Sequence, residues 1–288
     1  MSRSEAHTYA LLGALFFITV GVWTAVFAES ARDVLTVAVM DVGQGDAIFI
    51  ESPTGVQVLI DGGPDSAVLR ELPKVMGMFD RSLDAVIGTH PDADHIAGLV
   101  DVLERYDVAA FIEPGVPKDT ATWRRLQQEV EYEKVAHLVA RRGMKIDLGA
   151  GAVLDVLYPD KDVSGLSSDK ANEGGVVLKL SYGEATMLFM ADVSSKVETQ
   201  LLALDGKVLN VDLLKVGHHG SRTSTSDAFI KAATPAAAII SVGGDNRYGH
   251  PTGDVLHTLT KNAVTTLRTD EAGTVIFSSN GGEFVRVK

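Results

Sequence analysis

Seven residues, Thr89-His90-Pro91-Asp92-Ala93-Asp94-His95, constrain this chain more than any other segment. They follow an apolar run, Leu83 to Gly88, that reads as a buried strand. His90, Asp92, Asp94 and His95 can all ligate a metal, and a turn at a strand end can fold them around one centre. Polar loops contain such residues by chance, but rarely at this density. Imidazole and carboxylate are standard ligands for Zn²⁺, Mn²⁺ and Fe, and two His flanking two Asp suit a two-cation site.

Three further motifs follow apolar runs. Asp192 ends Leu188-Phe189-Met190-Ala191, where a carboxylate can bridge two cations. Its competing reading is a cap for a helix from Ser194 onward. Lys215-Val216-Gly217-His218-His219-Gly220-Ser221 places adjacent histidines between glycines. Neighbouring side chains on a strand face opposite ways, so both can serve one site only from a turn. The bland alternative is a surface or core His pair. Asn246-Arg247-Tyr248-Gly249-His250-Pro251 offers a His to a phosphate oxygen or leaving group, or is an ordinary helix entry. Asp41 to Asp46 and Asp61-Gly62-Gly63 are glycine-rich turns without a P-loop Lys or dinucleotide spacing, so no nucleotide cofactor is expected. Asp61 reads as a support that orients the ligand loop. His7, His137 and His257 lack such settings. Trp123, Arg124, Arg125, Arg141 and Arg142 read as a solvated helix face that can also touch an anionic polymer.

Short strands are expected at Val34 to Val42, Ala47 to Glu51 and Val56 to Ile60, with helical spacing from Asp65 to Met78. A strand over Leu83 to Gly88, a helix over Ile96 to Tyr106 and a strand over Ala109 to Ile112 follow. Lys118 to Arg142 is the longest helix-compatible stretch. Val153 to Tyr158, Val176 to Tyr182 and Ala185 to Met190 read as strands, the last two joined by Gly183-Glu184. Lys161 to Gly175 reads as a loop, and strand and helix alternate from Val208 to Phe277. Early hairpins followed by alternation predict an α/β fold with sheets packed between helices. No repeat and no second-domain break appear.

Tyr9 to Ala28 carries no charged residue, and about 20 residues can span a bilayer core. Arg3 before it and Glu29 after it orient the remainder outside the cytoplasm. The segment reads as an uncleaved anchor or, with Val26 and Ala28 as a cleavage site, a signal peptide. The chain has 288 residues, no Cys and a net charge of −12. Thiolate metal sites and Cys nucleophiles are therefore excluded. The acidic balance disfavours a passive basic groove but allows a nucleic-acid substrate, because bound cations invert the local charge.

The order Asp61-Gly62-Gly63, THPDADH, Asp192, KVGHHGS and YGHP resembles the metallo-β-lactamase superfamily. Together with MDVGQGDA and RTDEAG, it resembles more narrowly the metallo-hydrolase domain of ComEC-type DNA-uptake proteins. The resemblance spans about Val34 to Lys288. It implies a four-layer αββα sandwich over 34–288, and the apolar run makes one transmembrane or signal helix of residues 1–33 before it. It also implies metal ligands at His90, Asp92, Asp94, His95, Asp192 and His218. Asp92 stands where the superfamily usually has His. No other His lies between THPDADH and Asp192 except His137; Asn172 is the local match to an Asn-containing loop in ComEC-type domains. Glu173-Gly174-Gly175 departs from the small hydroxyl residues of relatives. Both ligand changes shift the site toward oxygen, which favours Mn²⁺ or Mg²⁺ relative to Zn²⁺. One or two divalent ions, Zn²⁺ or Mn²⁺ first, are the expected cofactor.

A single apolar span cannot form a multi-span import pore, so the reading is a free-standing, membrane-tethered or secreted relative. A cation lowers the pKa of a water it binds from roughly 15.7 toward about 7. Asp94 and Asp192 are expected to position that water. His219 or His250 is expected to protonate the leaving oxygen, and Lys215 or backbone groups near Gly217 to steady the developing charge. The expected activity is a phosphodiesterase or nuclease acting on DNA or another phosphodiester outside the cytoplasmic membrane. A metallo-hydrolase of a lactone or thioester, and a non-catalytic binding module, are the alternatives. A basic rim distinguishes the first, an apolar pocket the second.

Overall fold

The computed structural model describes residues 3–29, 34–77 and 79–288. Helix α1 (Arg3–Glu29) precedes strands β1 (Leu35–Val39), β2 (Ile48–Glu51) and β3 (Gln57–Ile60). Helix α2 (Val68–Val75) leads through β4 (Ser82–Leu83) to β5 (Ala85–Ile87), and α3 (Ala93–Leu103) through β6 (Asp107–Val108) to β7 (Ala110–Glu113). Helix α4 (Ala121–Tyr132) is followed by β8 (Ala136–Val139), β9 (Lys145–Gly149) and β10 (Ala152–Tyr158). Strands β11 (Val177–Tyr182) and β12 (Ala185–Phe189) form a hairpin through Gly183-Glu184, with Gly183 at φ 58°. The remainder alternates: α5 (Ser195–Asp205), β13 (Leu213–Lys215), α6 (Asp227–Ala233), β14 (Ala237–Ile240), α7 (Gly253–Lys261), β15 (Thr265–Arg268), α8 (Thr269–Ala272), β16 (Val275–Ser279) and β17 (Val285–Arg286).

Two sheets stack face to face. One runs β17-β16-β1-β2-β3-β5-β7-β8, the other β15-β14-β13-β12-β11-β10-β9. The two-residue period of a strand explains the layering. Val37 and Val39 of β1 point between the sheets, where they join Ile50, Leu154, Leu178 and Phe189. Ala38 and Met40 point the other way, against Leu72 of α2, Leu99 of α3 and Leu126 of α4. On the far side Leu188 and Leu214 meet Leu201 of α5, Phe229 of α6 and Leu259 of α7. The result is an αββα sandwich, as the sequence led us to expect.

Strands β3, β5 and β7 are mutually parallel, as are β12, β13 and β14. Parallel neighbours bring their carboxyl ends to one edge, where open α/β sheets present ligands. Asp61, Thr89, Asp192, Gly217 and Ser241 all follow such ends.

Several sequence expectations change. Lys118 to Arg142 is not one helix: α4 stops at Tyr132, Lys134 turns the chain at φ 55°, and β8 pairs with β7. Strand β8 lies at a sheet edge with every residue exposed, so it lacks the apolar alternation that reveals a strand. Lys161 to Gly175 contains a 3₁₀ turn over Ser168–Gly174. The strand expected from Val208 begins only at Leu213, after a 3₁₀ turn over Gly206–Leu209. The run from Tyr9 to Ala28 lies inside α1, whose Leu11, Phe16, Phe17 and Trp23 are exposed. Among the described residues no helix is long and apolar enough to cross a membrane. Residues 30–33, which end at the expected boundary between 33 and 34, and the expected helix end at Met78 lie outside the described residues.

Candidate metal centre

The ligand turn is built from behind by Asp61, which is 1% exposed. Its Oδ1 accepts the Thr89 amide at 2.8 Å, and its Oδ2 accepts the Thr89 hydroxyl at 2.7 Å. The same Oδ2 accepts His95 Nδ1 at 2.7 Å. A ring nitrogen held this way leaves Nε2 free to ligate. Asp92 is the residue at which α3 begins, so Asp94 and His95 leave the first turn of a helix. The glycine-rich turn closes against it: the Asp46 amide donates to the Asp94 carbonyl, and a Cβ on Gly45, at φ 138°, would collide with that carbonyl. Only glycine permits this approach.

Asp192 enters from β12 and is 3% exposed. Its Oδ1 lies 3.3 Å from His95 Nε2, and its Oδ2 lies 3.5 Å from His219 Nε2 and 4.0 Å from His90 Nε2. The turn after β13 holds His218 and His219 at φ 49° and 52°, a region that side chains seldom occupy. His219 Nδ1 donates to the Ser241 carbonyl at 2.9 Å, which aims Nε2 at Asp94 Oδ2, 3.4 Å away. Donor atoms of Asp94, His95, Asp192 and His219 all lie within 4.8 Å of one another. His90 and Asp92 extend the group on the other side of Asp192, with 4.0 Å between His90 Nε2 and Asp92 Oδ2.

Nε2 of His90, His95 and His219 and Oδ1 of Asp192 are buried without a hydrogen-bond partner. Buried polar atoms are ordinarily paired. Nitrogen and carboxylate donors left bare around one carboxylate are what a divalent cation satisfies, so this residue set fits a metal. The electrostatics agree. Burial opposes the Asp192 charge, yet the His219 and His95 imidazoles hold its carboxyl well below the usual range. Burial likewise opposes charging His219, but Asp192 and Asp46 push it up to about 10. Burial, then the neighbouring His95, depress His90.

The sequence-derived residues divide as follows. His90, Asp92, Asp94, His95 and Asp192 come together. The histidine that closes the donor cluster is His219, one of the two expected to protonate the leaving oxygen, rather than His218, the ligand that the resemblance implies. His218 Nε2 stays 3.7 Å from Asp192 Oδ2, its side chain 29% exposed, and Nδ1 meets the Thr223 hydroxyl at 3.1 Å. The left-handed backbone of both residues turns the two rings apart, their centroids 6.3 Å from each other and their planes at 73°. His250 lies at the rim, its ring 5.8 Å from those of His218 and Tyr248. Lys215 does not face the opening: it is fully buried and ion-paired with Asp46 at 2.7 Å, because β13 points it inward beneath the turn. It cannot steady a charge on a substrate from there.

His137 lies on β8 with Nε2 2.9 Å from Glu113, away from the cluster. Glu173 pairs with Lys196, and Val176, after the Asn172 loop, donates to the Thr89 carbonyl. The expected basic face is dispersed. Arg124 pairs with Asp119, Arg125 with Glu104 and Glu129, Arg141 with Asp162, and Arg142 with Asp205. Two residues escaped sequence reasoning. Asp46 was visible only as part of a glycine-rich turn, and Lys118, which pairs with Asp92, carried no local signal.

The model of the Metallo-beta-lactamase superfamily matches residues 40–244. "ComE operon protein 3" of Bacillus subtilis is 31% identical over 262 residues, 83% of this chain and 32% of that protein. "Competence protein ComA" of Neisseria gonorrhoeae is 28% identical over 85% of this chain and 32% of its own length. The chain thus spans about a third of these curated relatives. Among solved structures, the metallo-beta-lactamase fold protein YhfI from Bacillus subtilis aligns with a TM-score of 0.56 at 14% identity, covering 85% of this chain and 100% of that one. CmlA, a diiron beta-hydroxylase from Streptomyces venezuelae, aligns with a TM-score of 0.53 at 15% identity, covering 82% and 52%. At these identities the likeness is one of fold.

Proposed function

This chain belongs to the metallo-β-lactamase superfamily as a metal-dependent hydrolase, and on that premise we propose that the bond it breaks is a phosphodiester. The observation that carries the reading is a cationic and aromatic rim on a strongly acidic chain. Lys118 pairs with Asp92 at one side of the donor group. At the other, Arg247 lies over the Tyr248 ring at 5.3 Å, and that ring stacks on His250. Positive groups beside a carboxylate centre suit an anionic substrate, whereas a neutral lactone calls for apolar walls. The competence relatives' names agree with a nucleic-acid substrate.

Asp94, His95, Asp192 and His219 would hold one divalent ion, and His90 and Asp92 with Asp192 the place for another. A bound cation supplies the Lewis acidity that makes water a nucleophile at neutral pH. Asp94, with its side chain 31% exposed, orients the attacking water by accepting a hydrogen bond. His218 and His250 remain at the opening, and one of them delivers the proton to the leaving oxygen. Burial and the neighbouring His218 lower the His250 pKa, which favours its neutral form. Arg247 and Lys118 orient the phosphate.

The membrane reading is also a proposal. The exposed apolar side chains of α1, among them Leu15, Phe17, Ile18 and Val22, form a surface that soluble monomers rarely present. We place that helix at a membrane and the hydrolase domain outside the cytoplasm.

The test is hydrolysis of bis-p-nitrophenyl phosphate and of single- and double-stranded DNA. The full chain is stripped and reloaded with Mn²⁺, Zn²⁺ or Mg²⁺. Cleavage that depends on the ion and disappears in Asp94→Asn supports the reading. A folded, metal-loaded protein that leaves every phosphate ester intact moves the assignment to lactones and thioesters.

A further inference from the structure

The two halves of the donor group are not equivalent. Around Asp94, His95, Asp192 and His219 the donor atoms converge within 4.8 Å. On the other half, His90 Nε2 is 4.0 Å from both Asp92 Oδ2 and Asp192 Oδ2. Here one donor already has a cationic partner: the Lys118 ammonium donates to Asp92 Oδ1.

Lys118 is not a loose surface lysine. Its side chain is 18% exposed. Two residues before it, Val116 is 1% exposed and packs with Val163 and Ala171. Two residues after it, Thr120 caps α4 by accepting the Trp123 amide at 3.2 Å. The loop is pinned on both sides, and Arg141 holds its base through the Pro114 carbonyl at 2.6 Å. The ammonium is thus delivered to Asp92 by the fold.

Charge balance gives this contact its meaning. Asp92, Asp94 and Asp192 are the carboxylates that face the ion positions, since Asp61 is turned away onto Thr89 and His95 Nδ1, and the Asp46 charge is balanced by the Lys215 ammonium. One divalent ion and one ammonium neutralise three carboxylates. A second divalent ion would meet the ammonium in partly buried surroundings, where like charges repel strongly.

We propose that Lys118 is the built-in cation of the His90–Asp92 half of the site, so that the chain holds one divalent ion tightly and a second only in competition with this lysine. The inference rests on the metal centre described above and concerns its stoichiometry.

Equilibrium dialysis of the full chain against Mn²⁺, and separately Zn²⁺, followed by elemental analysis, reads the number and affinity of bound ions without reference to activity. The wild type should bind one ion tightly and a second at least about tenfold more weakly. Lys118→Met and Lys118→Gln should each tighten the second ion by at least about tenfold, while Lys118→Arg should not. In an Asp92→Asn background, the Lys118→Met gain should vanish. Using two neutral variants guards against one that misfolds, which circular dichroism identifies. Two ions of equal affinity in the wild type overturn the lysine inference and leave the metal centre standing. So does a second-ion affinity unchanged in both neutral variants. A wild type that binds no ion overturns the metal centre itself, and the inference with it.

Discussion

The Nδ1 of His95 donates to Oδ2 of Asp61 across 2.7 Å, in a contact where neither side chain is more than 1% exposed. The two residues are 34 positions apart, and the bond sets the tautomer of His95 so that Nε2 faces Asp192. Asp61 takes this position from the end of β3 at φ 58°, a conformation that Asp tolerates better than most residues. The carboxylate that fixes the ring therefore also fixes the backbone of the ligand turn through Thr89.

Asp61→Asn should weaken divalent-ion binding about 10- to 100-fold, as expected for loss of a ligand-orienting carboxylate. A metal titration against a competing chelator measures it. Affinity equal to wild type would show that His95 is oriented by something else.

Asp192→Asn removes the carboxylate shared by His90, His95 and His219. Phosphodiester turnover should fall by at least about a hundredfold, and the tightly bound ion should be lost. Retained turnover with retained metal would refute the central position given to Asp192.

Lys215→Met removes the nearest cationic partner of a buried carboxylate, since Lys215 is fully buried and Asp46 is 1% exposed. The expected loss of stability is about 3–5 kcal/mol, read from urea denaturation. The double variant Lys215→Met with Asp46→Asn should recover part of it. A loss of turnover without a loss of stability would restore Lys215 to the chemistry.

The metal-free protein should lose stability as pH rises. Asp192 and Asp46 outweigh burial and raise His219 from 6.5 to about 10 in the folded state. The folded state therefore binds this proton more tightly than the unfolded chain does. The stabilisation is fully present below about pH 6.5 and fades as pH climbs through about 10. Asp94 and Ser241 face the same ring, the first from α3 and the second after β14. Thermal midpoints of the stripped full chain across pH 6 to 10 check the sign. A bound divalent ion requires neutral imidazole and should flatten the decline. A midpoint that rises over this range would contradict the assignment.

The full chain should sediment with membranes, and a chain lacking residues 1–33 should not. Recovery of the full chain in the soluble fraction would remove the membrane assignment.

Much of the centre was legible before any coordinates. His90, Asp92, Asp94 and His95 lie in one turn after an apolar strand, so their proximity is nearly local. Asp192 needed only its place at a strand end. The choice between His218 and His219 was not legible, because adjacent residues in a turn have no fixed periodicity. Their directions depend on two positive φ angles and on the Ser241 carbonyl, 22 residues away from His219. Lys215 was misjudged for the same reason: the sequence places a cation near the glycines, but only the inward face of β13 shows that its partner is Asp46, 169 residues earlier. Strand β8 was missed because an exposed edge strand has no buried face to mark it.

The chain's own residues determined the layered α/β architecture, the absence of thiol chemistry and the ligand turn. Each is local: apolar periodicity, composition, or donors packed into a few positions. The tertiary structure decided which histidine closes the cluster, that Lys215 pairs with Asp46, and that Lys118 stands on Asp92. Those outcomes depend on contacts between strand ends far apart in sequence. Stacking parallel strands at one edge brings them together, and the turn geometry there sets which side chains point inward.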